Sequence, residues 1–87
     1  MQKENFKKGT RFKIVGAPGP HNRIWVCVEV AHRLVVALDE TRATARLRRR
    51  YGSEDDVVPA QELARLAPEF DDFLILWEHE FLYCHEL

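Results

Sequence analysis

The sequence has few of the residues that build a covalent framework or a membrane span. Its only cysteines are Cys27 and Cys84, which is too few for the disulfide framework of a small secreted domain. Both lie among large apolar residues, a setting that favours buried free thiols. No apolar run reaches the length of a membrane span, and residues 1–10 lack the apolar core of a signal peptide. We therefore expect a cytoplasmic protein.

Recognisable catalytic and cofactor-binding motifs are missing as well. Gly16 and Gly19 have a spacing that could suggest a phosphate loop, but the lysine and serine of such a loop are absent. Ser53 has no neighbouring base that could activate it as a nucleophile. A cluster of potential metal ligands near the C-terminus has neither C-x-x-C nor H-x-x-x-H spacing; it consists of Glu78, His79, Glu80, Cys84, His85 and Glu86. We predict a protein that is not an enzyme and has no cofactor and no metal site.

The composition, 46% hydrophobic and 31% charged, is typical of a globular chain and not of a disordered one. A chain of 87 residues can form one domain with one modest core. We predict a single domain over 1–87. Within it we expect a frayed lead-in over 1–9, a barrel-like part over 9–66 and an aromatic C-terminal segment over 69–87.

The two halves of the chain carry opposite charge. Residues 1–50 contain 12 Lys or Arg and 4 Asp or Glu, a balance of +8, whereas residues 51–87 contain 1 and 10, a balance of −9. Together these give the net charge of −1. Such asymmetry suggests an anionic partner for the first half, or pairing between the halves within or between molecules. The alternative is that folding mixes the charges into one neutral surface.

The centre of the predicted fold is a β-hairpin. Apolar residues alternate with others from Ile24 to Val30, and the alternation resumes from Leu34 to Leu38 after a short polar break. A further strand is predicted over 10–15, where Phe12 and Ile14 alternate with charged residues. The predicted core takes one face of these strands and two later residues: Phe12, Ile14, Ile24, Val26, Val28, Val36, Leu38, Val58 and Leu63.

Residues 41–51 fit two interpretations. As a helix they have Asp39 as a cap, arginines near the negative end of the helix dipole and Gly52 as a stop. As a strand over 44–50 they supply the sheet with a third sequential partner beside 34–38. We favour the strand, because the sheet otherwise lacks that partner.

The last third of the chain is predicted to be mainly helical. Residues 60–66 form about two helical turns that Pro68 ends. Residues 69–87 are dense in aromatic and leucine side chains, and a helix would place Phe70, Phe73 and Trp77 on one stripe. A strand would instead align alternate residues, but neither pattern accounts for every apolar residue. We predict a C-terminal helix over 70–87.

The order of these elements resembles the SH3-like small β-barrels, a family of interaction modules. The resemblance covers about residues 9–66, from the strand GTRFKI through the hairpin to VVPAQEL. It implies a mainly β (α+β) fold, either a small barrel or a strongly bent antiparallel sheet, with a short helix near 60–66 and the C-terminal helix outside it. Such modules bind nucleic acids or peptides. A proline-peptide site is not implied, because the aromatic clusters that form one are missing.

Two surfaces are candidates for binding. Guanidinium groups suit bidentate contact with phosphate, and five of them occur in nine residues: Arg42, Arg46, Arg48, Arg49 and Arg50. We predict that this strand binds an anionic partner, nucleic acid first and an acidic protein surface second. The alternative is a protein-interaction or inhibitory accessory protein whose contacts lie in the C-terminal segment, at Phe73, Trp77, Phe81, Leu82 and Tyr83. That segment has more apolar surface than one stripe can bury, so we also predict a homodimer.

Overall fold

The computed structural model describes residues 1–16, 23–51 (for 47–51 the backbone alone), 65 and 73–87. These residues form one antiparallel sheet, one α-helix and two 3₁₀ helices. The strands are β1 (Arg11–Ile14), β2 (Ile24–Val30), β3 (Leu34–Asp39), β4 (Leu74–Trp77) and β5 (Cys84–Glu86). Helix α1 is Glu40–Tyr51, and the N-terminal and C-terminal 3₁₀ helices are Lys3–Asn5 and Glu78–Tyr83.

The strand order is β4-β3-β2-β1-β5, and every neighbouring pair is antiparallel. The central hairpin of β2 and β3 is where the alternation predicted it, and the mainly β fold class is confirmed. A small five-stranded sheet of this kind is compatible with the SH3-like fold. Among the described residues β4 and β5 each pair on one side only, so these strands form an unclosed sheet and not a barrel.

The sheet is curled, as its connection between β4 and β5 requires. These strands lie at opposite edges, which a flat sheet would hold about 19 Å apart, since adjacent strands are about 4.8 Å apart. They are joined only by the six-residue C-terminal 3₁₀ helix, which spans about 12–14 Å at about 2 Å per residue. The sheet must therefore curl to bring its edges towards each other. This gives it a concave and a convex face.

The concave face holds the main hydrophobic core. Strand register places Phe12 opposite Trp25, Ile14 opposite Cys84, and Ala37 opposite Cys27, and directly paired residues project from the same face of a sheet. The core cluster consists of Phe6, Phe12, Ile14, Cys27, Val35, Ala37, Leu76, Phe81 and Cys84. Phe81 comes from the C-terminal 3₁₀ helix, so the segment that joins the two edges also fills the space between them.

The convex face is buried in part by α1, which contacts β2 and β3. Val26, its register partner Leu38, Val28 and the helix residue Ala43 are all buried but lie outside the concave cluster. Five of the predicted core residues are buried, namely Phe12, Ile14, Val26, Val28 and Leu38. The assignment to a single face is wrong, because Phe12 and Ile14 project from the face opposite to Val26 and Leu38. Of the other predicted core residues, Ile24 and Val36 are half-buried, and Val58 and Leu63 lie outside the described residues.

The prediction of a strand over 44–50 is wrong, because Glu40–Tyr51 is an α-helix. The local signals favoured the helix: alanine, arginine, leucine and glutamate have high helix propensity, and Asp39 caps the first turn. The topological argument for a strand fails because β3 finds its outer partner in β4, far along the chain.

The C-terminal segment is helical only in its middle. In place of one helix over 70–87, the described residues 73–87 form β4, the C-terminal 3₁₀ helix and β5. Within β4 the side chains alternate, with Leu76 buried and Ile75 and Trp77 exposed, which is the pattern of a half-buried strand. The segment supplies both edges of the sheet, a pairing that no helix could provide. Of the predicted helix over 60–66 only Arg65 is described, and it is helical.

The N-terminal residues, expected to be frayed, pack against the C-terminal 3₁₀ helix. The Phe6 ring lies edge-on to Phe12 at 5.3 Å between centroids and tilted against Phe81 at 4.8 Å. The Met1 amino group donates hydrogen bonds to the carbonyl oxygens of Phe81 and Cys84, at 3.0 and 2.9 Å. These contacts place residues 1–6 beside the β5 edge.

Candidate binding surfaces

The junction between β3 and α1 is fixed by Asp39. One of its carboxylate oxygens accepts a hydrogen bond from the Arg42 backbone N–H at 3.2 Å, which caps the helix. The other accepts a bond of 2.7 Å from the Arg23 guanidinium. Because Asp39 is buried, an unpaired charge here would be costly. The ion pair with Arg23 and the backbone bond therefore explain how a carboxylate is tolerated at this position.

The charge of Glu40, the first residue of α1, is also neutralised by an arginine. Arg11 of β1 donates two hydrogen bonds to the Glu40 carboxylate, from Nε at 2.6 Å and from Nη2 at 3.0 Å. This two-pronged contact raises the pKa of the Arg11 guanidinium above its ordinary value, chiefly through the side-chain hydrogen bonds. The two acidic residues at the start of α1 are thus paired with arginines from outside the helix.

All five arginines of the predicted anion site lie on α1. Arg42 and Arg46 are exposed, and the structure describes Arg48, Arg49 and Arg50 as backbone positions of the same helix. An α-helix groups residues three and four apart on one side, so positions 42, 46 and 49 share a side while position 48 falls away from it. In place of the alternating row expected for a strand, this side of α1 has about one arginine position per helical turn.

Further basic residues lie on the same face of the sheet as α1. Arg11 and Lys13 of β1 project from the face opposite to Phe12 and Ile14, and both are exposed. The Arg11–Glu40 bond confirms that this part of β1 lies next to the start of the helix. Sequence reasoning restricted the basic site to the arginine run and missed these two residues. The alternation of residues 11–14 was the signal that could have included them.

A second surface, which we call the β4 patch, is apolar. It consists of Phe73, Ile75 and Trp77, whose exposed fractions are 41%, 49% and 49%. Register places Val36 opposite Ile75 and Leu34 opposite Trp77, so two half-buried residues of β3 extend the patch. Sequence reasoning named Phe73 and Trp77 as interface residues but omitted Ile75, because a helix would have separated it from them.

The other predicted interface residues are distributed differently. Leu82 is 67% exposed and Tyr83 is half-buried. Phe81 is only 4% exposed, because it packs in the concave core. Leu82 lines an open groove between the two 3₁₀ helices, with Gln2 and His79 among its neighbours. The predicted interface set therefore does not form one continuous surface in the described structure.

The two cysteines are buried and free, as the sequence predicted. Burial raises the pKa of both thiols from 9.0 to about 11. At neutral pH they are protonated, so neither has the thiolate character of a reactive cysteine. Cys84 faces the core while His79 and His85 are exposed. Across the described residues, no three histidine, cysteine or carboxylate side chains converge on a point that could hold a metal ion.

Comparisons with known proteins identify no relative. No protein-family model, no curated protein sequence and no solved structure matches the chain. In the part of the chain that the structure describes, no helix is long and apolar enough to cross a membrane. The chemistry of the two surfaces is thus the basis for a functional proposal.

Proposed function

We propose that this protein is a non-enzymatic binding module that contacts nucleic acid through α1 and the nearby Lys13 of β1. The observation that carries the proposal is the charge of the helix: five arginines and one glutamate in twelve residues, with that glutamate already paired to Arg11. A helix of this charge attracts a polyanion whatever its sequence.

The spacing of the arginines along α1 suits contacts with successive phosphates. Arginine positions one helical turn apart are about 5–6 Å apart along the helix, comparable to the spacing of phosphates along a nucleic-acid strand. Arg48, Arg49 and Arg50 lie in the last turns, where the helix dipole favours positive charge. Contacts of this kind depend on phosphate, so we expect little sequence preference.

Salt-dependent binding tests the proposal. We expect the protein to bind fluorescent duplex DNA, measured by anisotropy, with an affinity that falls by about 0.9 log units per log unit of salt for each phosphate contacted. The double variant Arg42→Gln/Arg46→Gln should bind more weakly and reduce that slope by up to about 1.8, because two contacts are removed. Single-stranded DNA and RNA probes measured alongside identify the preferred form of the polyanion.

The matched control removes the same charge elsewhere. Lys7 and Lys8 are exposed and precede β1, so Lys7→Gln/Lys8→Gln changes the net charge equally without altering α1. A melting curve for each variant separates lost binding from lost stability. Equal weakening by both double variants would indicate a general charge effect. That result, or absence of salt-dependent binding in the wild type, would contradict a site on α1.

A second candidate function, protein interaction through the C-terminal segment, is favoured by the exposure of the β4 patch. Apolar side chains grouped on one surface usually mark an interface. The homodimer predicted from the sequence is one form that such an interface could take. Sedimentation velocity at micromolar concentration tests it: a species of 10.2 kDa would exclude the homodimer at that concentration.

A further inference from the structure

The convex face of the sheet continues beyond α1 onto β1 and β5. The helix contacts β2 and β3, and the strand order places β1 and then β5 on the far side of β2. Adjacent strands are about 4.8 Å apart, so β1 and β5 extend this face by about 10 Å to the side of the helix. Lys13 of β1 and His85 of β5 are both exposed there.

Strand register places these two side chains next to each other. Lys13 pairs directly with His85, and directly paired residues project from the same face with their Cβ atoms about 5 Å apart. Lys13 also pairs with Ile24 of β2, so a row of residues leads from His85 through Lys13 towards the helix. The helix begins at this end of the sheet, because Trp25, the neighbour of Ile24, pairs with Asp39.

Lys13 and His85 are available to an external anion. Among the described residues, neither side chain makes a hydrogen bond or an ion pair. Arg11, the other basic residue of β1 on this face, is held by Glu40. A lysine keeps its positive charge at neutral pH, whereas a histidine ordinarily changes charge between pH 5 and pH 8. The pair therefore combines one permanent charge with one that depends on pH.

The groups around His85 couple its protonation to anion binding. On β1 its direct neighbour is Lys13, and its diagonal neighbours are Arg11 and a valine. On its own segment, Glu86 projects from the opposite face of the sheet and Tyr83 packs against the concave core. A proton on His85 thus brings a second positive charge next to Lys13, which is unfavourable without an anion. A phosphate between the two side chains offsets this repulsion and favours the protonated form.

We propose that His85 extends the nucleic-acid surface of α1 across β1 to β5, and that its protonation strengthens binding as pH falls. This inference rests on the function proposed above for α1. The arginines of the helix supply contacts that do not change with pH. Lys13 and protonated His85 together hold one further phosphate, through charge-assisted hydrogen bonds.

Anisotropy titrations at about pH 5.5 and about pH 8, near the two ends of the range in which histidine titrates, test the proposal. The probe is duplex DNA without terminal phosphates, so that its charge is constant over this range. In about 0.1 M salt we expect the wild type to bind about fivefold to tenfold more tightly at the lower pH, with a salt slope steeper by up to about 0.9. His85→Gln should lose most of this change and bind at both pH values as the wild type does at the higher pH.

Two other exposed histidines supply matched controls. His32 lies between β2 and β3, and His79 lies in the C-terminal 3₁₀ helix. The whole chain gains positive charge as pH falls through its pI of about 6.4, so the informative quantity is the difference between variants. His32→Gln and His79→Gln should keep the wild-type response to pH.

A second variant and a second measurement examine protonation directly. His85→Lys makes the charge permanent, so it should bind at the higher pH about as tightly as the wild type does at the lower one. Calorimetry in two buffers of different ionisation enthalpy measures the protons taken up on binding. We expect proton uptake in the wild type and in His79→Gln, and less of it in His85→Gln.

The results that would overturn this inference differ from those that would overturn the function of α1. A response to pH that survives His85→Gln, or that is lost equally in His32→Gln or His79→Gln, overturns the role of His85. If Arg42→Gln/Arg46→Gln still weakens binding in that case, the function proposed for α1 stands. Absence of salt-dependent binding at either pH overturns both. Melting curves at both pH values show whether each variant is folded.

Discussion

The two edges of the sheet are protected to very different degrees. The β5 edge is three residues long and exposes His85 and Glu86. Its Cys84 carbonyl oxygen accepts a hydrogen bond from the Met1 amino group, and Phe6 packs beside it against Phe81. The β4 edge is apolar, and within the described residues only Glu80 covers one of its outward N–H groups.

The difference shows that edge protection is a local property of sequence. Charged side chains and cover by another segment both help to prevent an edge from pairing with a foreign strand, and β5 has both. The β4 edge, which comes from the same fifteen residues, contains no charged residue, and among the described residues its cover is limited to the Glu80 carboxylate.

The largest loss of folding stability should follow from truncating a core side chain beside the β5 edge. Phe81 is almost fully buried, so Phe81→Ala should lower the free energy of unfolding by about 3–5 kcal/mol. Trp77→Ala, at the open edge, removes a side chain that is half in water and should cost less than half as much. Urea unfolding of both variants measures the contrast. Equal losses would mean that the β4 edge is as well packed as β5.

Folding stability at alkaline pH should depend on the two buried thiols, Cys27 in β2 and Cys84 in β5. The pKa of Cys27 and of Cys84 is raised in the folded state from 9.0 to about 11, so the unfolded chain loses these protons first. The resulting stability is complete below pH 9 and is lost as pH rises to about 11. We expect on the order of 1–3 kcal/mol per thiol.

Urea unfolding at successive pH values measures this loss. Lysine and tyrosine residues also titrate in this range, so the informative quantity is the difference between wild type and the variants Cys27→Ala and Cys84→Ala. Each variant should lose less stability than the wild type between pH 9 and pH 11. A pH dependence that neither substitution changes would show that the thiols are not the cause.

The smallest change in folding stability should accompany Ile75→Lys. Ile75 is half exposed, and substitutions at such surface positions usually change stability by about 0.5 kcal/mol or less. The lysine would protect the edge from non-specific pairing, so light scattering at rising protein concentration should show less aggregation than for the wild type. His85→Lys, on β5, is the control and should leave aggregation unchanged, because that edge is already protected.

Prediction from the sequence succeeded where a stretch of residues followed one clear periodicity. Alternation from Ile24 to Val30 and from Leu34 to Leu38 predicted the central hairpin, since only a strand uses a two-residue period. It could not predict that both faces would be buried, because a strand covered by a helix on one side and a core on the other has no polar face. The register of Phe12 opposite Trp25, a long-range property, separated the two faces.

Elsewhere the outcome depended on pairings between distant parts of the chain. The helix at Glu40–Tyr51 had correct local signals, and the error came from assuming that β3 must pair with the next segment of chain. For residues 73–87 the helix and strand patterns were both incomplete, because a strand, a 3₁₀ helix and another strand follow one another within fifteen residues. The arginine positions were identifiable from sequence; their arrangement on a helix, and the exposure of Ile75, required the fold.

The position of β4 and β5 late in the chain also affects how the molecule can assemble during synthesis. The strands β1, β2 and β3 are made first, and both of their outer neighbours come from residues 74–86. Until those residues are made, the three-stranded intermediate has two unpaired edges and lacks Leu76, Phe81 and Cys84 from its core. Closing so long a loop costs entropy before any contact forms. The incomplete chain is therefore the stage most exposed to aggregation, and completing the C-terminal segment gives β3 and β1 their outer partners in a single late step.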